Sequence, residues 1–238
     1  IRLLKRFVSD WELTADAAKE PGNCAEPPAA NERPQLEAVA VVGAGPAGLS
    51  VADSLARKGY RVTVFEAEPV VGGMMAVGIP SYRLPREVIR REVARIERLG
   101  VEIRLNTPIG PAGEWTLDDL IDRGYSAIFI GVGAHTGYRL RIPGEALQGV
   151  VSGIDLLKAI NLSQQTDDPQ WQTKVSSYLL GGARTRVAIV GGGNTAMDVA
   201  RSLRRLGVDD VRALYRRTRA EMPAMPEEIE EAEPGLGR

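Results

Sequence analysis

The sequence has very few of the residues that metal sites and disulfides require. Its 238 residues include one cysteine, Cys24, and one histidine, His135. A single cysteine excludes an internal disulfide, a redox-active CxxC pair and any iron-sulfur cluster ligated by this chain alone. Neither residue has partners at metal-ligand spacing, so the sequence predicts no metal site. Cys24 lies in a segment rich in Pro, Ala and Glu, and we expect it to be an inert thiol.

An excess of charge of either sign is also absent. The chain has 30 basic and 31 acidic residues, so no strong field favours nucleic acid or a membrane surface as partner. Its longest apolar runs have the length of strands, and residues 1–7 form a short basic amphipathic piece rather than a secretory signal. These features predict a cytoplasmic globular protein.

Glycine, in contrast, is concentrated in two hexapeptides. Residues 43–48 read GAGPAG and residues 191–196 read GGGNTA, and each follows an apolar strand-like run and precedes a helix-forming one. A single such hexapeptide is weak evidence, because glycine clusters are common in turns. Two copies in the same strand-turn-helix context indicate two dinucleotide-binding units.

The first copy has the residues that a phosphate-binding turn needs. The apolar run 38–42 is typical of a buried parallel strand, and Gly43 then makes the tight turn. Because Gly45 has no Cβ, a pyrophosphate can approach the backbone, while Gly48 allows the helix predicted over 46–58 to pack on the strand. The amides of the first helical turn, which includes Pro46 and Ala47, present a positive dipole end to phosphate.

An acidic residue follows at the expected distance. The next strand, 61–65, ends at Glu66, about twenty residues beyond the fingerprint, where a carboxylate accepts hydrogen bonds from ribose hydroxyls. The alternative is a solvated glutamate at a strand end, which this position makes the less favoured interpretation.

The second copy ends differently. After the strand 187–190 come Gly191 and Gly193, a helix that runs to Leu206, and a strand over 211–215. This strand is followed by Arg216 and Arg217 instead of an acid. Arginines suit a 2′-phosphate, so this half predicts NADP(H) rather than NAD(H). The alternative is an exposed arginine pair that only increases solubility.

Four stretches follow along the chain. The predicted divisions are an N-terminal connector over 1–36, the first nucleotide unit over 37–150, a linker over 151–185 that is polar and irregular around 164–171, and the second unit over 186–238. The fold class is therefore α/β with two Rossmann-type units.

Further elements are predicted inside the first unit. A helix is expected over 85–99 and a strand over 127–130, and the strand opens into the glycine pair Gly131 and Gly133. This pair is too far from helix-forming residues to be a third fingerprint. We expect the chain there to cross close to a bound cofactor.

Four segments together resemble a known family. They are 1–7 (IRLLKRF), 72–85 (GGMMAVGIPSYRLP), 140–145 (LRIPGE), and 191–198 with 215–217. Together they are similar to the pyridine-nucleotide-dependent flavoproteins that include the small subunit of glutamate synthase and the N-terminal flavin half of dihydropyrimidine dehydrogenase. The resemblance covers nearly the whole chain, and the GIPxxRLP stretch is its most specific part.

This resemblance implies FAD in the first unit and NADPH in the second. The implied FAD contacts are Gly43, Gly45, Pro46, Ala47, Gly48, Glu66, Gly73, Met74, Arg83 and Ile109, with Gly133 and Ala134 near the flavin. The implied NADPH contacts are Gly191, Gly193, Asn194, Thr195, Arg216 and Arg217.

The sequence departs from that family in three places. No upstream cysteine-rich cluster domain is present, no strand with a Gly-Asp pair follows Arg238, and the stretch 164–171 is longer than the family's usual link. We therefore expect a fragment of a longer flavoprotein, with both units incomplete at their outer ends and no cluster of its own. Such a fragment is expected to bind FAD weakly or not at all.

Hydride transfer from the nicotinamide C4 to the flavin N5 requires stacked rings rather than an acid or base, so no catalytic residue is predicted. Three readings of the function remain open. The first is an NADPH-dependent FAD oxidoreductase module that passes electrons to a partner domain or subunit. The second, a thioredoxin-reductase type enzyme, needs a CxxC that one cysteine cannot provide. The third is a truncated, non-catalytic nucleotide-binding fragment.

Overall fold

A computed structural model describes residues 36–111, 113–179 and 186–235. The predictions for the connector, including the 1–7 segment and Cys24, lie outside the described residues. So does the outer end of the second unit beyond residue 235.

The first unit is a parallel sheet with helices against it. Its elements are β1 (Ala38–Val42), α1 (Pro46–Arg57), β2 (Arg61–Phe65), α2 (Met74–Val77), α3 (Arg86–Glu97), β3 (Glu102–Arg104), α4 (Leu117–Asp122) and β4 (Tyr125–Ile130). The strand order is β3-β2-β1-β4, and all three pairings are parallel. This is the order that the first half of a Rossmann unit has.

Side chains that alternate between the two faces of the central strands form a hydrophobic core on each side of the sheet. Val41 and Val64 are fully buried in the core beneath α1 and α3, whereas Val42 and Phe65 face a smaller cluster that contains Leu120 of α4. Because successive side chains of a strand point to opposite faces, two short apolar strands supply both cores.

The second unit contains its own core. The linker before it forms α5 (Gly153–Ser163) and α6 (Pro169–Tyr178). The unit's own elements are β5 (Arg186–Val190), α7 (Asn194–Arg205), β6 (Asp210–Leu214), a 3₁₀ turn (Arg219–Glu221), α8 (Pro226–Ala232) and a last 3₁₀ turn (Glu233–Gly235). β5 and β6 pair in parallel, and α7 buries Met197, Val199 and Leu203 against them.

The stretch between the units is more regular than predicted. Only residues 164–168 lack helical structure between α5 and α6. α6 begins because the Asp168 side chain accepts a hydrogen bond from the Gln170 amide and Pro169 fits the first helical position. α5 contributes Leu162 to the core of the first unit and Leu157 to that of the second, so it joins the two. The boundaries 37–150, 151–185 and 186–238 stay predictions.

The predicted elements around the fingerprints agree with the structure to within one or two residues. β1 and β2 have the predicted bounds, and β4 begins two residues before the predicted strand. In the part of the chain that the structure describes, no helix is long and apolar enough to cross a membrane. Within the same residues, no group of three or more His, Cys, Asp or Glu side chains is arranged to hold a metal ion.

Candidate nucleotide-binding sites

Two glycines of the first fingerprint are required by the fold itself. Gly43 has a φ of +102°, and a Cβ there would lie 2.6 Å from the carbonyl oxygen of Gly131. A Cβ on Gly48 would lie 1.9 Å from the carbonyl oxygen of Gly43. Both positions therefore permit the close packing of the β1–α1 turn against α1 and the end of β4.

Gly45 has different surroundings. Among the described residues, apart from its two chain neighbours, a Cβ there would have only the Gly73 Cα within 4 Å, at 3.9 Å. Gly73, at a φ of +52°, faces it so closely that a Cβ on Gly73 would lie 2.8 Å from the Gly45 Cα. The backbones of Gly45 and Gly73 thus lie close together at one wall of a cavity, with no side chain between them. α1 begins at the same place, with Gly45 as its N-cap. This arrangement fits a pyrophosphate, which needs backbone access and a helix N-terminus.

Glu66 holds this turn to the end of β2. Its side chain is buried, and its carboxylate accepts hydrogen bonds from the amides of Ala44 at 2.7 Å and Glu68 at 2.9 Å. A carboxylate has about four acceptor positions, so two remain for ribose hydroxyls. Glu66 therefore has a structural role as well as the ribose-binding role predicted for it.

These groups surround a cavity of about 410 Å³. The predicted residues that line it are Gly43, Gly45, Pro46, Ala47, Glu66, Gly73, Met74, Ile109 and Gly133. The wall also contains Val42, Phe65, Ala67, Glu68, Thr107, Pro108, Gly131, Val132 and His135. The segment after β4 thus crosses beside the fingerprint, at the place where the sequence predicts a chain close to a cofactor.

From the loop after β3, sequence reasoning named Ile109 but missed Thr107 and Pro108. The Thr107 amide donates to the Glu66 carbonyl at 2.8 Å, which places Thr107 and Pro108 at the cavity. Adjacent parallel strands end at the same edge of a sheet, so recognition of β3 would have predicted this loop. β3 has only three residues, Glu102–Arg104, and the alternation of apolar and charged residues over 101–105 (VEIRL) is the signal that could have found it.

Three predicted FAD contacts are not among the residues that line the cavity. Gly48 lies beneath the turn, and Ala134 follows the lining residue Gly133. Arg83 instead bonds Asp198 at 2.6 Å and Glu228 at 2.8 Å, both in the second unit. Whether these three touch FAD stays a prediction.

In the second fingerprint, as in the first, some glycines are closely packed and one is open. Gly191 has a φ of +148°, and a Cβ on Gly192 would lie 2.7 Å from the Tyr215 ring. A Cβ on Gly193, by contrast, would have no atom within 4 Å among the described residues. Gly193 is the N-cap of α7, so the open position again coincides with a helix N-terminus.

The segment after β6 folds back over this turn. The Ala224 amide donates to the Gly192 carbonyl at 3.0 Å, and the Met225 amide donates to the Asn194 Oδ1 at 2.9 Å. Asn194 thus anchors the returning segment with its oxygen, which leaves its Nδ2 as a donor. Thr195 is exposed in the first turn of α7.

The arginine pair lies just beyond β6. Arg216 and Arg217 are both exposed, and Arg217 approaches Glu221 at 3.9 Å. Over the described ranges, Arg216 has no acidic side chain within ion-pair distance. Both residues follow the carboxyl end of β6, where the sequence predicts the 2′-phosphate site.

Comparison with family models identifies this arrangement. Residues 37–234 match the family described as pyridine nucleotide-disulphide oxidoreductase. The chain belongs to this family. Members of the pyridine nucleotide-disulphide oxidoreductase family bind FAD and NADP(H), which confirms the predicted cofactor pair at the level of the family. The 238 residues contain one cysteine, so they include no CxxC pair.

Curated relatives agree with the predicted resemblance. The chain is 44% identical over 251 residues to the beta subunit of NADP(+)-dependent formate dehydrogenase from Moorella thermoacetica, covering 98% of this chain and 33% of that protein. It is 35% identical over 228 residues to the glutamate synthase [NADPH] small chain of Escherichia coli K12, covering 96% and 44%. The chain therefore spans less than half the length of either relative.

Solved structures support the same fold. FprA from Mycobacterium tuberculosis, in complex with NADPH, has a TM-score of 0.67 and 24% identity, covering 85% of this chain and 48% of that one. Thioredoxin reductase from Lactococcus lactis has a TM-score of 0.52 and 20% identity, covering 82% and 61%. These similarities confirm an α/β fold with Rossmann-type units.

Proposed function

We propose that the chain is the nucleotide-binding module of an NADPH-dependent FAD oxidoreductase. In this proposal the cavity of the first unit holds FAD, the turn between β5 and α7 holds NADPH, and electrons pass on to a partner domain or subunit. The observation that carries the proposal is the repeated geometry of the two turns, in which Gly45 and Gly193 are open while the neighbouring glycines are closely packed.

The side chains near each turn support the order of the cofactors. Glu66 at the end of β2 suits a free ribose hydroxyl, as the AMP half of FAD has, and Arg216 and Arg217 suit the 2′-phosphate of NADPH. Both relatives described above are named with NADP(+) or NADPH.

This chain's own contribution to the reaction is positioning. Bound FAD would accept a hydride from NADPH and release electrons, and that chemistry belongs to the cofactors. Gly45 and Gly73 give backbone access to the pyrophosphate, Glu66 orients the ribose, and α1 and α7 direct their amide ends at phosphate. No side chain is required to move a proton, so we propose no catalytic residue.

A partner is part of the proposal. Three relatives are named as one chain of a larger protein: formate dehydrogenase subunit beta, NADPH-Fe(3+) oxidoreductase subunit beta and the glutamate synthase small chain. We propose an electron-accepting subunit or domain for this chain as well. A cytoplasmic location stays a prediction from the sequence.

The purified protein's absorption spectrum provides the test. At an FAD concentration high enough to offset the weak binding expected of a fragment, we expect the protein to shift the visible spectrum of FAD relative to free FAD. The absorbance near the visible maximum should then be lost under anaerobic NADPH but not under equal NADH. Retention of nucleotide without any flavin reduction would favour the alternative, a non-catalytic nucleotide-binding fragment.

A further inference from the structure

A chain of five charged side chains joins the two units. Arg83 bonds Asp198 with its Nη1 at 2.6 Å and Glu228 with its Nε at 2.8 Å. Arg201 bonds the other oxygen of Glu228 at 2.6 Å and also pairs with Glu231. We call Asp198, Arg83, Glu228, Arg201 and Glu231 the interunit network. Its signs alternate along its length, so each inner charge has two opposite neighbours.

Most of this network is removed from water. The side-chain exposures are 6% for Asp198, 11% for Arg201, 17% for Glu228 and 25% for Arg83. Burial raises the pKa of the Asp198 carboxyl, and the Arg83 guanidinium opposes that rise. Buried ion pairs contribute little net stability compared with apolar packing, but loss of one partner leaves an uncompensated charge. Such a network therefore selects one arrangement of the parts that it joins.

Tyr82 strengthens the connection from the same segment. Its hydroxyl donates to the Asp198 carbonyl at 3.4 Å, and its ring lies under the guanidinium groups of Arg205 at 3.8 Å and Arg201 at 4.6 Å. Two consecutive residues of the first unit thus contact successive turns of α7. Cation–π contacts of this kind add to the ion pairs.

The network is connected through the chain to both candidate sites. Its first-unit end follows Gly73 and Met74, which line the FAD cavity, by about one short helix. Asp198 lies one turn after Asn194 in α7, the helix that begins at Gly193. A displacement of Arg83 relative to Asp198 would therefore change the separation of the two phosphate-binding turns.

We propose that Arg83 and Asp198 are positioning residues that fix the second fingerprint relative to the first. Glu228 supports them because it forms a second ion pair with Arg83. This assignment rests on the proposed function for the identity of the two sites, and it differs from the flavin contact that family resemblance implies for Arg83. Only the positioning role requires Glu228, because Glu228 pairs with Arg83 but is not among the residues that line the cavity.

Hydrogen exchange of the nucleotide-free protein tests the positioning role. Arg83→Gln and Glu228→Gln should each speed amide exchange in residues 78–85 and in α8, by about tenfold for one broken buried pair. The double variant should show less than the combined effect of the two single variants, because the Arg83–Glu228 pair is already lost in each of them. Arg90→Gln, at a side chain that is 69% exposed on α3, should leave both segments unchanged. Unchanged exchange in the Glu228→Gln protein would overturn the proposal.

Cofactor binding provides the second readout. In a protein that binds both cofactors, Arg83→Gln and Glu228→Gln should both slow single-turnover flavin reduction about tenfold or more, because a misplacement of roughly 1 Å has effects of that size. Flavin content and the NADP⁺ dissociation constant should stay within about threefold. Loss of flavin in Arg83→Gln alone would make Arg83 a flavin contact. A wild-type protein without nucleotide affinity would refute the proposed function and leave the exchange result to decide the network.

Discussion

Glycines 43, 45 and 48 belong to one turn, but each has its own physical role. Gly43 uses a positive φ and a close approach to Gly131, and Gly48 allows α1 to contact the turn. Gly45 has ordinary N-cap geometry, with a φ of −78°, and an open side toward the cavity. A motif that looks uniform in sequence thus separates into residues needed for folding and a residue needed for the ligand.

Alanine substitutions should separate these roles. Gly48→Ala should lower the free energy of unfolding by about 1–3 kcal/mol or more, because its methyl would overlap the Gly43 carbonyl. Gly45→Ala should change it by less than about 1 kcal/mol, because its methyl would meet only Gly73 at contact distance. Urea denaturation measures both. Equal destabilisation by the two variants would contradict this division.

The arginines after β6 determine coenzyme choice in the proposed function. Replacing Arg216 and Arg217 together by Gln should weaken NADPH binding by a few kcal/mol at most, since a charge-assisted hydrogen bond contributes about 1.5–3 kcal/mol. NADH binding should change little. Arg212→Gln, within β6 and paired with Asp210, is the matched control. Titration with both coenzymes measures the effect, and equal losses for NADPH and NADH would refute the 2′-phosphate assignment.

At the scale of elements, a buried side-chain amide of α5 bonds the first unit. The Asn161 Nδ2 donates to the Val77 carbonyl at 2.9 Å, and its Oδ1 accepts from Arg86 at 2.9 Å. Asn161 is only 2% exposed, so water cannot replace either bond. The helix that links the two cores therefore depends on polar contacts as well as on Leu162.

Removal of the Asn161 amide should lower the stability of the fold. Asn161→Ala leaves the Val77 carbonyl without its side-chain donor in a buried place, which should lower the free energy of unfolding by about 1–3 kcal/mol. Gln164→Ala, at the exposed C-cap of the same helix, should have a much smaller effect. Chemical denaturation monitored by circular dichroism tests the difference. A cost for Asn161→Ala no greater than that for Gln164→Ala would show that the contact does not hold α5.

Elements differ in how far the sequence predicts them. β1, β2, α1 and α7 were predictable because glycine turns bound them and their apolar residues recur at strand or helix spacing. The alternation over 101–105 (VEIRL) that marks β3 is only five residues long, and the largely polar residues of α6 concealed a helix that is capped by Asp168. Local sequence patterns therefore predict an element whose buried residues recur at a regular spacing. They do not predict an element that depends on a capping side chain or on pairing with a neighbouring strand.

At the scale of the whole molecule, the same limit applies to the sites. Gly45, Glu66 and Gly73 could be placed at one cavity from spacing and family resemblance. The partners of Arg83 could not, because Asp198 lies 115 positions away and only the packing of the two units brings them together. Contacts between the units depend on how their two hydrophobic cores pack together, and a local sequence pattern does not predict that packing.

The central claim is that each unit holds its own cofactor, and reciprocal titrations test it most directly. Apoprotein of the wild type, Gly45→Val and Gly193→Val is titrated with FAD and, separately, with NADPH. Relative to wild type, Gly45→Val should lose FAD binding and keep NADPH binding, because its side chain fills only the first turn, and Gly193→Val should show the reverse. Loss of NADPH binding with full FAD binding in Gly45→Val would contradict the assignment of the two units.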